Sequence, residues 1–291
     1  KTLAPVSLPA DGDFKRAVEQ TVKSLQRSNI VGTSEASLPR TYYCENKKRL
    51  ILNFYKNNSI HCLVSPAIFM VAFFNCVGNV PPETPTSEFK DLFVTQVLFL
   101  RNLLKFEFFF SPKPIFLNEM EFNRSYFLGE DSAGLSTVSQ LIARLGSRLG
   151  SWDDASLYMR LLGELLNSFM STLKFLKENV GTYEKKALVQ KILRAAESGP
   201  PGDIVFPESL TIQNYSNALM VFENLKIVTL VRENEKVFVT VEPWDTKSQQ
   251  RLDSLVSYLD LMDENLSNYL RLRGFPVSER APVTFEPTFP L

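Results

Sequence analysis

The sequence holds a single histidine, His61, and three cysteines, Cys44, Cys62 and Cys76. One imidazole gives little to build a zinc site on, and on a strand Cys62 would point to the face opposite His61, so metal binding is not expected. Three thiols cannot all pair within the chain and none stands in a C-x-x-C spacing, which makes a reducing compartment the simpler inference. The 12 glycines never approach G-x-G-x-x-G or G-x-x-x-x-G-K spacing, so no nucleotide cradle is expected. Net charge is missing too: 32 Lys plus Arg balance 32 Asp plus Glu, which removes the electrostatic footprint of a general nucleic-acid binder. No basic segment followed by an apolar core opens the chain, and Lys1 stands where a Met would, so the start reads as an internal cut or a processed end. Four N-x-Ser sequons, at Asn57, Asn123, Asn214 and Asn265, would matter only in a secreted chain and are taken as chance.

Apolar material is abundant: 44% of the 291 residues are hydrophobic, enough for one large domain or two small ones. The 23 Phe concentrate between Phe69 and Phe127, which suggests an aromatic core or a docking face. Residues 60–77 are apolar over about the length of a membrane span. Ser65 and Pro66, however, read as N-cap and first helical residue, and the helix left, ending near Val77 with Gly78 as its stop, is too short to cross a bilayer.

Periodicity predicts a largely helical chain. A first helix over 13–28, with Asp13 as N-cap, precedes short β-favouring pieces at 30–31 and 41–44. A second apolar segment starts at Leu50, after the basic run 47–49, which reads as solvated. Ser87 is a cap candidate for a long helix over 89–110, whose last five residues could instead finish as a strand. Residues 111–134 read as a packed loop rich in aromatics, and a second helical block begins near Leu135. Gly146 and Gly150 read as a helix end, because two Arg near them argue against a transmembrane pairing motif. Asp154 is read as the cap of a long amphipathic helix to Asn179, with Leu157, Leu161, Leu165, Phe169, Leu173 and Leu176 in one stripe. Thr182 is read as the cap of a shorter helix stopped by Ser198 and Gly199, to pack antiparallel to the previous one.

A helix over 210–226 is followed by β-branched runs at 227–231 and 237–241, a hairpin signal. Helix plus hairpin is a winged-helix-like unit, and the first helix and its strands have the same order, so a degenerate repeat is possible in principle. Residues 210–225 contain no Lys or Arg and one acid, Glu223, which favours packing or protein interaction over nucleic-acid readout. A last amphipathic helix spans 246–262, which residues 263–273 extend or follow. The expected fold is mainly α (α+β), a helical domain with small winged-helix-like hairpins. Its expected organisation is a Phe-rich helical block over 1–130, a second block with the helix-hairpin unit over 131–273, and a Pro-rich tail over 274–291.

The run 50–69, Leu-Ile-Leu-Asn-Phe-Tyr-Lys-Asn-Asn-Ser-Ile-His-Cys-Leu-Val-Ser-Pro-Ala-Ile-Phe, resembles the region after the catalytic domain of membrane glycerol-3-phosphate acyltransferases. Residues 98–110, ending Leu-Lys-Phe-Glu-Phe-Phe-Phe, the run 161–169 and the helix and hairpin over 215–241 are similar to later parts of that family, in its mitochondrial and bacterial branch. The family's reaction uses His-x-x-x-x-Asp, in which the carboxylate orients an imidazole that deprotonates the glycerol-phosphate hydroxyl. Here the residue five after His61 is Pro66, and a bland structural role for His61 is favoured. Phe206-Pro-Glu-Ser209 is similar to the family's Phe-Pro-Glu-Gly phosphate motif, with Ser209 in place of Gly and no Arg at 211 or 212, so a helix start with Glu208 near the dipole is the better reading.

The resemblance therefore implies that no catalytic, cofactor-binding or metal-binding residue lies in this chain. It implies a catalytic N-terminal acyltransferase domain of the same parent as partner, acyl-CoA as the parent's substrate, and no cofactor. It further implies peripheral membrane contact on the cytosolic side, at the mitochondrial outer membrane in a eukaryote, and no nucleic acid. The alternatives are an independent helical interaction module, or an enzyme with an unfamiliar carboxylate site. If the Phe-rich 89–127 region docks onto a catalytic half, the chain alone should expose apolar surface.

Overall fold

The computed structural model describes residues 14–34, 41–45, 48, 51, 60–149, 152–199, 206–263, 270 and 274–275. Lys1–Ile60 and His61–Leu291 form two compact units, each with its own architecture.

In the first unit, helix α1 (Phe14–Arg27) leads into strands β1 (Gly32–Ser34) and β2 (Thr41–Tyr43), which pair antiparallel with Gly32 opposite Tyr43. The Asp13 cap lies outside the described residues, as does most of 46–59. Asn29 ends the helix in the left-handed region at φ 54°. Its N–H donates to Gln26 O (2.8 Å) and that of Ile30 to Leu25 O (2.9 Å), a Schellman stop with Ile30 buried beneath it. Gly32 is required by a close approach: a Cβ there would lie 2.5 Å from the Tyr43 ring.

The second unit has two buried helices at its centres. The first is α2 (Val64–Gly78), apolar all round and therefore stable only when covered on all sides. Its cover comes from α3 (Thr86–Leu103), α4 (Lys113–Leu128), α6 (Trp152–Arg160) and α10 (Thr246–Asp263). Phe69 meets Phe73, Phe93 and Phe127, Phe73 meets Phe74 and Phe89, and Phe74 meets Trp152, all with centroids 5.1 to 6.1 Å apart. The Phe bias thus builds an aromatic core. Among the described residues, no helix is long and apolar enough to cross a membrane.

Several sequence-based boundaries are corrected here. Leu63, not Ser65, occupies the cap position of α2, and Ser65 instead accepts a hydrogen bond from Asn123 Nδ2 (2.8 Å). Pro85, not Ser87, precedes α3, which is anchored by Thr86 N–H to Ser136 O (3.0 Å) and Thr86 Oγ1 to Leu135 O (2.8 Å). The helix stops at Leu103, and residues 106–110 form no strand. Residues 113–128, expected as loop, are the helix α4: Pro114 sits in its first turn, where a missing N–H costs nothing.

The second centre is α7 (Gly163–Glu178), reached from α5 (Val138–Arg148, capped by Thr137 on Gln140 N–H) through α6. The single helix expected over 154–179 is broken at Leu161 and Leu162 into α6 and α7, so Asp154 lies inside α6. Leu157 leaves the stripe and is 64% exposed, while Leu165, Phe169, Leu173 and Leu176 are buried. Thr182 is not a cap: it lies in strand β3 (Gly181–Glu184), before α8 (Lys185–Glu197). Thr211 caps α9 (Ile212–Asn224), which Lys226 stops at φ 58° with Ile227 N–H on Phe222 O (2.8 Å). Strands β4 (Val228–Glu233) and β5 (Lys236–Val241) follow, joined by Asn234 and Glu235 at φ 45° and 66°, a type I′ hairpin.

Strand β3 pairs with β5, giving the sheet order β3-β5-β4. The succession α7, β3, α8, α9, β4, β5 with that order is a winged-helix arrangement, so the expected helix-hairpin unit is present with a third strand. Helix α10 packs on both α2 and α7, and Phe275 is buried with its N–H on Leu270 O (3.0 Å). The fold is mainly α, of the α+β kind, as expected, with ten α-helices among the described residues.

Candidate functional site

His61 lies in a 3-10 turn over Ile60–Cys62, not on a strand, so the reasoning that Cys62 points away from it across a pleat fails. Nor is it a buried imidazole: the residue is exposed, and its ring meets Phe108 edge-on at 5.7 Å. Pro66 stands within the first turn of α2. No group of three or more His, Cys, Asp or Glu able to hold a metal occurs among the described residues. Burial pushes the Cys76 thiol well up, which keeps it protonated and unreactive.

The Phe206-Pro-Glu-Ser209 segment forms a 3-10 turn over Pro207–Ser209 rather than the start of α9. Phe206 lies against Gly163, where a Cβ would come within 2.3 Å of its ring, and its N–H donates to Asn167 Oδ1 (2.9 Å). Ser209 is fully buried and its carbonyl faces Asn214 Nδ2 at 3.4 Å. These contacts hold the turn onto α7 through Phe206 and onto α9 through Ser209.

Around that turn a polar seam runs between α7 and α9. Glu164, Asn167, Ser168 and Thr172 on α7 are buried, as are Tyr215 and Asn217 on α9. Ser168 Oγ donates to Leu165 O (2.8 Å) and Thr172 Oγ1 to Ser168 O (2.7 Å), so these hydroxyls are satisfied by their own helix. Asn217 takes Gln213 Nε2 on its oxygen (2.7 Å) and donates to Glu107 Oε1 (2.8 Å). Burial raises the pKa of Glu107, the Asn217 hydrogen bond opposes that, and the neighbouring Glu164 raises it further. The Tyr215 phenol is pushed up to about 12 by burial, beside the hydroxyls of Ser171 and Ser209. Such a group holds its proton at neutral pH. The seam locks helices together.

The surface carries the other notable feature. On α4, Ile115, Phe122 and Tyr126 share one face at spacings of seven and four and are exposed, Phe122 at 71%. Tyr126 meets Phe127, which meets Tyr158 on α6, beside the exposed Leu157. Before α4, the loop 104–112 alternates: Leu104 and Phe108 are buried, and Phe109 is fully exposed. Sequence reading found the Phe-rich region but not which rings face outward. Its one available signal was the double proline at 112 and 114, which marks a new helix.

The pattern of the family described as glycerol-3-phosphate acyltransferase C-terminal region matches residues 2–230. Proteins named as the acyltransferase plsB1 in Mycobacterium bovis and in two strains of Mycobacterium tuberculosis are 28% identical over 116 residues. That stretch is 38% of this chain and 17% of each relative, so the chain matches less than a fifth of the length of these curated relatives. The match over 2–230 spans most of the helical unit, the polar seam and the exposed α4 face, and the chain belongs to the glycerol-3-phosphate acyltransferase C-terminal region family.

Proposed function

We propose that the chain is a structural and regulatory C-terminal domain of a glycerol-3-phosphate acyltransferase, packed beside the catalytic domain of the same parent. The parent would transfer an acyl group from acyl-CoA to the sn-1 hydroxyl of glycerol 3-phosphate, the entry step of glycerolipid synthesis at a membrane surface. The match over 2–230 to the family's C-terminal region carries this reading. The chemistry supports it: a proton-abstracting imidazole needs a carboxylate to orient it, and the position after His61 that would supply one is Pro66.

The face formed by Phe122, Tyr126 and Leu157 is the docking surface in this proposal. Its occupant is the catalytic domain, because relatives that share the matched stretch run far beyond it. An apolar patch rimmed by Glu121 and Arg124, which pair at 2.6 Å, suits a partner that covers it permanently. The purified chain should bind detergent or an apolar dye and show no acyl transfer. Added to a catalytic domain bearing His-x-x-x-x-Asp it should form a complex, which the triple change Phe122→Ser, Tyr126→Ser, Leu157→Ser weakens about tenfold or more. A monodisperse, dye-negative chain would remove the docking face. Turnover by the chain alone, abolished by one Asp or Glu change, would remove the non-catalytic reading.

A further inference from the structure

The loop 104–112 is held firmly from below. Leu104 and Phe108 are buried, and His61 lies edge-on to Phe108 at 5.7 Å. Phe110 meets Phe116 at 5.5 Å, with the Arg101 guanidinium 5.8 Å and 5.5 Å from the two ring centres. Arg101 Nη2 donates to Ser111 O (2.8 Å) and Ser111 Oγ to Glu119 Oε1 (2.7 Å). What this scaffold presents outward is Phe106, with Lys105 Nζ 5.0 Å from its ring centre, then Phe109, and beyond the turn Lys113 and Ile115.

Charge is sorted in the same way. Glu107 is the only acid between 104 and 118, and it faces inward onto Asn217. The charges flanking the outward rings, Lys105 in the loop and Lys113 at the start of α4, are therefore both lysines. A fully exposed Phe fixed by its neighbours, a second ring under a lysine stem, and cations on either side form a wedge for a lipid interface. Rings enter at headgroup depth while ammonium groups stay among phosphates. A protein partner would satisfy the rings but gives no reason for the carboxylate alone to be turned in.

We propose that Lys105, Phe106, Phe109, Lys113 and Ile115 form a membrane-contacting wedge selective for anionic bilayers. It centres on the start of α4 and the loop before it, with Ile115 about 10 Å from Phe122 at 1.5 Å per residue, so the wedge and the docking face adjoin along one side of the helix. The inference stands on the loop's geometry and does not rest on the acyl-transfer reading.

The test is sedimentation of the purified chain with phosphatidylcholine vesicles and with vesicles in which about a third of the lipid is phosphatidylserine. Binding to the anionic vesicles is expected, with much weaker binding to the neutral ones. Phe106→Ser with Phe109→Ser should lower partitioning about tenfold or more while circular dichroism stays unchanged. Lys105→Glu with Lys113→Glu should abolish the preference for anionic lipid. No binding to anionic vesicles, or equal binding by the Phe variant, overturns the proposal. So does loss of self-association, without any vesicle binding, in that variant, since it would assign the rings to a protein contact. None of these results bears on whether the chain turns over acyl-CoA, which is measured separately.

Discussion

The two helix-hairpin units stop their helices by the same device and then diverge. At Asn29 and at Lys226 the chain turns left-handed, the next residue bonds back five positions, and that residue, Ile30 or Ile227, is buried. After Asn29 come two strands of three residues; after Lys226 come two of six, and β3 adds a third strand to their sheet. A local stop signal thus sets where a hairpin starts, but the length of its strands depends on what they can pack on. Behind the second hairpin stand α8 and α9, and Val239 and Val241 are buried.

Substitutions beneath and at the two stops sharpen this contrast. Phe222, whose carbonyl closes the second stop, is fully buried against Phe169 at 6.2 Å, so Phe222→Ala should cost about 3–5 kcal/mol. Its counterpart Leu25 is only half-buried, and Leu25→Ala should cost less, a difference that urea unfolding resolves. Equal losses would mean that the two stops are supported alike.

Next in size is Asn217→Ala, which leaves Glu107 without its donor and should cost about 1–3 kcal/mol. Glu107→Gln gives the pH readout. The raised folded pKa means the folded state binds more proton than the unfolded one between the ordinary carboxylate value and that raised value. Stability therefore falls as pH rises through this window, and the Gln variant should remove that fall, leaving stability unchanged at acid pH and higher at neutral pH. A parallel pH profile in the two proteins would show that the seam does not sense the Glu107 charge.

Smaller still, Lys226→Gly should add about 1 kcal/mol by relieving a side chain held at positive φ, and Glu235→Gly should gain a similar amount in the type I′ turn. Asn29→Gly should change stability by only a few tenths of a kcal/mol, because Asn tolerates this conformation. Melting temperatures rank these three directly.

Much of this was readable in the residues. The first helix and its hairpin, the covered apolar α2, and α9 with its β4–β5 hairpin all follow from periodicity and β-branched runs, because each is a contiguous pattern. Two kinds of feature escaped. Residues 154–179 keep helical spacing across Leu161 and Leu162, so nothing local reports the break; only packing decides it. Strand β3 is four residues long, and its pairing with β5 is a contact between distant segments.

The site divided the same way. That Pro66 stands five residues after His61 is read directly from the sequence, whereas Glu164 reads there as an ordinary acid in the middle of a long helix and is buried in the structure. The outward rings at Phe106 and Phe109 were invisible within the run Leu-Lys-Phe-Glu-Phe-Phe-Phe, since a loop has no period from which to infer facing.

The hydrogen bond from Asn123 to Ser65 ties α4 to the first turn of the central helix, and Asn123 is only 6% exposed. An oligosaccharide transferase needs that amide nitrogen free and on an accessible stretch of chain. Once folded, this domain could carry sugar at Asn123 only by peeling α4 from its aromatic bed, so any glycan found there would mark a chain that was modified before it folded.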